Sequence, residues 1–208
     1  MEFSGRDRLA NTYPDLAYEV TAVRRLAPPP AALQERNQRF VDALPPGLPP
    51  QERMARHVFH TCKPGVAALI EREGMLPSPC GICLGRAGLW IDHDNGWFGD
   101  HSQGVYVSKH ADYTFFYQQD REVRVGDEGE VLVLELVTGR VLHFEARRDG
   151  AAPSADHDCH ESPNHLEFFV YDENTRRRPP EPSYRLAPRW AIKWRAVKNT
   201  RKAVVHDA

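Results

Sequence analysis

Cysteine is scarce in this chain: Cys62, Cys80, Cys83 and Cys159 are the four present in 208 residues. That is too few to staple a chain of this length, so a disulfide scaffold is excluded. A reducing, intracellular setting is the expectation, with cytoplasm and nucleus not distinguished. Long apolar runs are also missing, and nothing approaches the roughly 20 residues needed to cross a bilayer; no membrane partner is expected. The N-terminal MEFSGRDRLANTYP is polar and charged, unlike a secretory leader. Net charge is nearly absent at −2, so the balance as a whole asks for no polyanion. Its distribution is uneven, because Glu173 to Lys202 carries ten Lys/Arg against two Glu. Such a stretch is either a phosphate-attracting face, which admits a nucleic-acid partner, or ordinary solvated surface.

What is present reads as one α+β domain. Leu16–Leu26 suits a strand, stopped by Pro28–Pro30. Ala31–Leu44 has helix formers with apolar residues at Leu33, Phe40, Val41 and Leu44, and the PPGLPP that follows ends it. Arg56–Thr61 is a short strand. A helix opens at Pro64 and runs to about Glu73, with Gly74 as its C-terminal cap. Met75–Gly104 holds six glycines and little periodicity; a loop this long inside a compact domain is usually functional. Val105–Val107 is extended and Ser108–Tyr117 helical, with Ser108 as the N-cap. Strands are expected at Glu130–Leu136, Val141–Glu145, His165–Tyr171 and Arg189–Val197, with a loop over Arg147–Pro163. Many strands, helices mostly in the first half and no repeated βα unit imply a split antiparallel sheet core with flanking helices. Residues 1–13 are expected to be a disordered lead-in, 14–197 the domain and 198–208 a basic tail.

Three segments carry chemical signal. In VFHTCKPGVAALIEREG a histidine sits on a strand leading into a helix. In GWFGDHSQGVYVSKHADYTFFY an aromatic-rich strand and helix follow a glycine-rich loop. In HLEFFVYDEN a single Glu sits among hydrophobic neighbours. A carboxylate inside an apolar strand is costly without partners, so Glu167 is a functional candidate on physical grounds. Tyr106, Tyr117 and His60 taken singly are ordinary core or strand residues.

Taken in order, these segments resemble the catalytic domain of the poly(ADP-ribose) polymerase (PARP) family, the diphtheria-toxin-like ADP-ribosyltransferases of His-Tyr-Glu type. His60 is followed by Ile70 and Gly74 at the family's offsets of ten and fourteen. Gly104-Val105-Tyr106-Val107-Ser108 is similar to its Gly-Ile-Tyr-Phe-Ala strand. Thr114 and Tyr117 stand eight and eleven residues after Tyr106, where the family has a hydroxyl residue and a second Tyr. Glu167-Phe168-Phe169-Val170-Tyr171-Asp172 resembles Glu-Tyr-Ile-Val-Tyr-Asp, and Pro182–Leu186 the segment after it. The first-strand likeness at Val20–Arg25 extends the resemblance over about residues 14–197.

The resemblance implies an ADP-ribosyltransferase that takes NAD⁺ as co-substrate and releases nicotinamide. Adding single units to a protein acceptor, itself included, is the leading expectation. Glycosidic cleavage of NAD⁺ passes through an oxocarbenium-like state, and a carboxylate bonded to the neighbouring ribose hydroxyl stabilises that state selectively. That role falls to Glu167. His60 would bond the adenosine ribose and Tyr106 and Tyr117 sandwich the nicotinamide. Thr114 would hold the carboxamide, as would backbone groups at Thr61, where the family has glycine. Two alternatives accompany this reading. The acceptor is nucleic acid, favoured by the basic C-terminal stretch. Or the chain is an inert scaffold of the same fold, favoured by Thr61 and by a loop before Gly104 longer than the family's.

Cys80-Gly-Ile-Cys83 is half of a zinc pattern that Cys159 with His160 or His157 could complete. A second C-x-x-C is missing, so no metal is expected and free thiols are. His93, His101, His157, His160 and His165 show no ligand spacing and are expected at the surface, with His165 of interest for its nearness to Glu167.

Overall fold

A computed structural model describes residues 15–61, 66–77, 96–119 and 123–199, the side chains of residues 116–119 excepted. The expected lead-in, most of the expected tail, Cys62, Cys80, Cys83, His93 and the Tyr117 side chain lie outside the described residues.

The elements in chain order are β1 (Leu16–Arg25), α1 (Ala31–Asp42), α2 (Pro50–Arg53), β2 (Arg56–Thr61), α3 (Val66–Glu73), β3 (Val105–Ser108) and α4 (Ala111–Gln119). They continue with β4 (Glu128–Leu136), β5 (Val141–His143), β6 (Cys159–Glu161), β7 (Glu167–Val170) and β8 (Leu186–Lys198). This is the α+β class read from the sequence. The strands form one sheet in the order β1-β8-β4-β2-β3-β7-β6-β5. Every pairing is antiparallel except β5 with β6, which run parallel. Long ladders hold β1, β8, β4 and β2 together. Between β2 and β3 the ladder shrinks to the single pair Phe59↔Ser108, so the sheet is split into two halves at that joint.

The central strands bury apolar residues on both faces of the sheet. One face carries Val58, Leu132, Leu134, Phe168 and Val170, packed against Ala67 and Ile70 of α3. The other carries Val131 and Trp194 beneath Phe115 of α4, and a second cluster of Phe98, Phe169 and Tyr171. Phe115 stacks on Trp194 at 4.1 Å between ring centroids. Pro188 has no ladder donor to give, and β8 accommodates it at a register shift opposite Val133/Leu134. Gly74 closes α3 at φ 88°, with its N–H donating to Ile70 O at 2.8 Å. A side chain there would also meet Pro182 at 2.7 Å.

The Tyr171-Asp172 and Pro182–Leu186 motifs meet through one buried carboxylate. Asp172 accepts from Ser183 Oγ at 2.6 Å, from Tyr184 N at 3.1 Å and from Thr175 N at 3.0 Å. Arg185, 2% exposed, spreads its guanidinium over the carbonyls of Val137, Thr138, Asp158 and Tyr171.

Three local expectations need correction. Helix α4 begins at Ala111 and not at Ser108. Ser108 ends β3, donates its hydroxyl to Leu166 O and accepts from His110 N, so it turns the chain but caps no helix. The stretch read as a loop contains β6, whose three residues are buried on both faces and so show no apolar alternation. His160 is fully buried, packed edge-on to Phe144 and Tyr171, and is no surface histidine.

Candidate functional site

The split between β2 and β3 is where the sequence-nominated residues converge. His60 and Thr61 end β2, Tyr106 lies on β3, Thr114 on α4 and Glu167 opens β7 opposite Ser108. Where a ladder bond is missing, the His60 imidazole supplies one. Its Nδ1 lies 2.9 Å from the Tyr106 carbonyl, an acceptor only, so the proton sits on Nδ1. Burial holds the His60 pKa below the ordinary histidine value, and this hydrogen bond opposes the shift.

Thr61 occupies an ordinary strand position paired with Val131, and it is not among the positive-φ residues. A β-branched side chain therefore fits the backbone where the resembling family has glycine. Its hydroxyl meets that of Thr114. Thr114 donates its only proton to Ala111 O at 2.6 Å, so Thr61 is the donor in the pair and Thr114 the acceptor.

Glu167 is 4% exposed. Its Oε2 accepts from the Trp97 indole N–H at 3.0 Å and from the Tyr113 hydroxyl at 3.2 Å. A buried carboxylate needs such donors. The turn before it is fixed as well, with Ser162 Oγ accepting from the Glu167 amide at 3.0 Å.

Tyr106 stands opposite Phe169 and on the same side of the sheet as Glu167. Its hydroxyl donates to Gly99 O at 3.0 Å and accepts from Phe98 N at 3.3 Å. Its ring lies against Phe98, His101 and Phe169, at centroid distances of 4.8, 4.6 and 5.1 Å. Residues 96–104 thus wrap the Tyr106 ring and reach Glu167 through Trp97. The close approach is possible because Gly99 and Gly104 have no side chain. A Cβ on Gly99 would lie 2.3 Å from the Phe169 ring, and one on Gly104 2.5 Å from it.

Trp97 and Tyr113 are the members of this cluster that sequence reasoning missed. Tyr113 sits one position before Thr114, and only the fold shows that it faces Glu167. Trp97 belongs to the glycine-rich loop, and nothing in its spacing points to Glu167 as a partner. Tyr117 follows Thr114 on α4, three residues on. A groove of about 170 Å³ among the described residues lies elsewhere, between α1 and the start of β8, lined by Leu33, Asn37, Tyr184 and Ala187. It contains none of the converging residues, and the residue chemistry locates the site better than the size of a hollow does.

Of the zinc combination weighed from the sequence, Cys80 and Cys83 lie outside the described residues, and Cys159, His160 and His157 lie within them. Cys159 and His160 are consecutive on β6 and point to opposite faces. Cys159 packs with Val58 and Leu186, and burial pushes its thiol up to about 12. His160 instead bonds Phe98 O through Nδ1 at 3.0 Å. The basic stretch is partly neutralised: Arg177 pairs with Glu181, Arg189 with Glu135 and Arg195 with Glu128.

A sheet split at the joint that gathers a His, a Tyr and a Glu defines a PARP-like architecture. Comparison with known proteins agrees at the level of fold. The chain is similar to the solved structure of the TASOR pseudo-PARP domain, with a TM-score of 0.65 over 87% of this chain and 85% of that one. At 15% identity the likeness shows the fold alone. No protein-family model and no curated protein matches the chain.

Proposed function

We propose that this chain is a PARP-like binding scaffold that does not turn over NAD⁺. The observation that carries this reading is the cover over the two residues on which transfer would depend. Trp97 and Tyr113 both donate to one oxygen of a carboxylate that is 4% exposed. The Tyr106 hydroxyl is engaged by the backbone of Phe98 and Gly99, and its ring by protein aromatics. A ribose hydroxyl has to compete with two donors already in place, and a nicotinamide ring with His101 and Phe98. Transition-state stabilisation requires donors and acceptors aimed at the reacting sugar; these are aimed at each other. The solved neighbour is itself described as a pseudo-PARP domain, which fits a fold kept without the chemistry.

A second reading, mono-ADP-ribosylation of a protein acceptor, draws support from one specific observation. His60, Thr61, Tyr106, Thr114 and Glu167 all converge on the sheet split. In that reading residues 96–104 swing aside, Glu167 takes the ribose 2′-hydroxyl and Tyr106 the nicotinamide. The basic C-terminal residues would favour nucleic acid as acceptor only if left unpaired.

Nicotinamide release from NAD⁺, measured for the wild type beside Glu167→Ala, separates the two. Equal rates, with no labelled band on a denaturing gel and no label on added DNA or RNA, support the scaffold. Faster release by the wild type overturns it. A discrete band then gives mono-transfer, a smear gives polymer, and label on nucleic-acid ends gives nucleic acid as the acceptor.

A further inference from the structure

A second cluster of titratable side chains lies on the other face of β6 and β7, outside the converging site. Register in the parallel β5–β6 pair sets His143 directly beside Glu161. The turn that follows β6 brings His165 back over the same carboxylate. His143 Nδ1 and His165 Nδ1 both approach Glu161 Oε2, the latter at 3.2 Å. The two imidazole centroids are 6.0 Å apart. One ligand atom from each of the three residues falls within a sphere of mutual distances no greater than 4.8 Å.

We propose that His143, Glu161 and His165 form a binding site for a zinc-class divalent transition ion. Two imidazoles and a carboxylate, with a fourth position left to water, are a donor set that zinc takes readily. Tetrahedral bonds of about 2.1 Å place ligand atoms about 3.4 Å apart. The two histidine side chains are 57% and 66% exposed, so both have the freedom to close from 4.8 Å to that spacing. Glu161 is fixed and buried, with Lys109 bonded to its other oxygen, Oε1. The carboxylate is therefore oriented to present Oε2 alone, as a monodentate ligand. Hydrogen bonding from behind is how metal-ligating carboxylates are commonly held.

An independent feature points at the same spot. His165 is the one non-glycine residue at positive φ, 58°, among the described residues. Left-handed backbone is uncommon for residues that carry a Cβ, with histidine, asparagine and aspartate the types that adopt it most readily. A turn that places His165 in that conformation is held in place by His165 N donating to Ser162 O at 2.9 Å and by Ser162 Oγ donating to Asn164 at 2.7 Å. The outcome of this conformation is an imidazole over Glu161. Because Ser162 also accepts from the Glu167 amide, an ion at this site would brace the turn that carries Glu167.

The test is titration of the full chain with Zn²⁺ by calorimetry and with Co²⁺ by absorption spectroscopy, on the wild type, Cys80→Ser/Cys83→Ser, His143→Gln and His165→Asn. Asparagine tolerates the left-handed backbone and leaves the fold undisturbed, which circular dichroism checks. The expected result is one ion per chain, retained in the double serine variant, with a Co²⁺ spectrum free of thiolate charge-transfer bands. His143→Gln and His165→Asn should each weaken binding by more than about tenfold, the least that losing even an outer partner of a metal ligand costs. Mg²⁺, which prefers all-oxygen ligands, should not compete. The proposal is overturned by no binding to the wild type, by thiolate bands, or by unchanged affinity in both histidine variants. None of these outcomes bears on NAD⁺ turnover.

Discussion

The indole N–H of Trp97 donates to Oε2 of Glu167 across 3.0 Å, joining a loop residue to the carboxylate that opens β7. The two are 70 positions apart in sequence, and the contact does two things at once. It satisfies a buried carboxylate oxygen, and it lays residues 96–104 over Tyr106.

Replacing Trp97 by Phe keeps the ring and removes the donor. A buried carboxylate left short of one partner loses about 1–3 kcal/mol, and at this chain length about 2–4 °C of Tm accompanies each kcal/mol. Thermal unfolding of Trp97→Phe should therefore fall by several degrees. Glu167→Gln should absorb part of that loss, because a neutral amide needs the indole less. A double-mutant cycle reads the coupling, and strict additivity would show that the bond contributes nothing.

Arg185 should be far less tolerant. Its guanidinium bonds four carbonyls drawn from the turn after β4 and from the segments around β6 and β7. It also lies over the Phe40 ring at 4.4 Å. Lysine has three donors in a compact head and cannot span that fan. Losing two charge-assisted bonds at about 1.5–3 kcal/mol each puts Arg185→Lys at about 3 kcal/mol or more. The measurement is urea unfolding, and a variant within about 1 kcal/mol of wild type would refute the role.

Much of this frame was legible in the sequence, and the reasons are particular. The strand Glu128–Leu136 announces itself through Val131–Leu134, because a central strand buried on both faces is apolar throughout. Gly74 could be read as a cap because only a glycine goes readily to φ 88° there. The residues that converge on the sheet split were legible through matched spacing along the chain. Their cover was not: Trp97 and Tyr113 meet Glu167 only after β3, β7 and α4 have packed. The same limit hid the His143–Glu161–His165 cluster, whose spacing of eighteen and four residues resembles no local metal motif. It is assembled by a parallel strand pair and a left-handed turn. Strand β6 was missed because Cys, His and Glu have no strand signature, although the fold buries all three.

Acid should weaken the fold through His160. Burial lowers its pKa from 6.5 to about 4, with the hydrogen bond to Phe98 O opposing. A histidine depressed in the folded state gives stability that is complete above pH 6.5. Between 6.5 and about 4 the unfolded chain takes up a proton and the folded one does not, so stability falls across that window and levels off below it. At about 1.4 kcal/mol per pH unit the ceiling on this contribution is about 3 kcal/mol. His60, also held below its ordinary value, acts in the same direction. Urea midpoints of wild type and His160→Phe, taken at pH 7.5 and at pH 4.5, should differ in their pH dependence, with the variant flatter. Parallel curves would exclude His160 as the cause.

Gly99 offers a way to lift the cover without touching any of the converging residues. A methyl group there would sit 2.3 to 2.6 Å from three atoms of the Phe169 ring, and Phe169 is fully buried between Tyr106, His160 and Tyr171. Rings on three sides hold Phe169 in place, so the loop is the part expected to move. Overpacking of this kind costs about 1–3 kcal/mol. Gly99→Ala should accordingly unfold at lower temperature, and the loop that moves carries Trp97. In the wild type that indole packs edge-on to Phe98 at 4.9 Å and bonds Glu167. Its fluorescence should shift to the red in the variant as water reaches it, with Trp97→Phe/Gly99→Ala identifying the contribution of this tryptophan among the four in the chain. Gly47→Ala is the matched control, since nothing lies within 4 Å of a Cβ there; it should leave both stability and emission unchanged. An emission spectrum that does not move in Gly99→Ala would mean that Phe169 yields rather than the loop, and that the cover over Glu167 is held by more than the absence of a side chain at position 99.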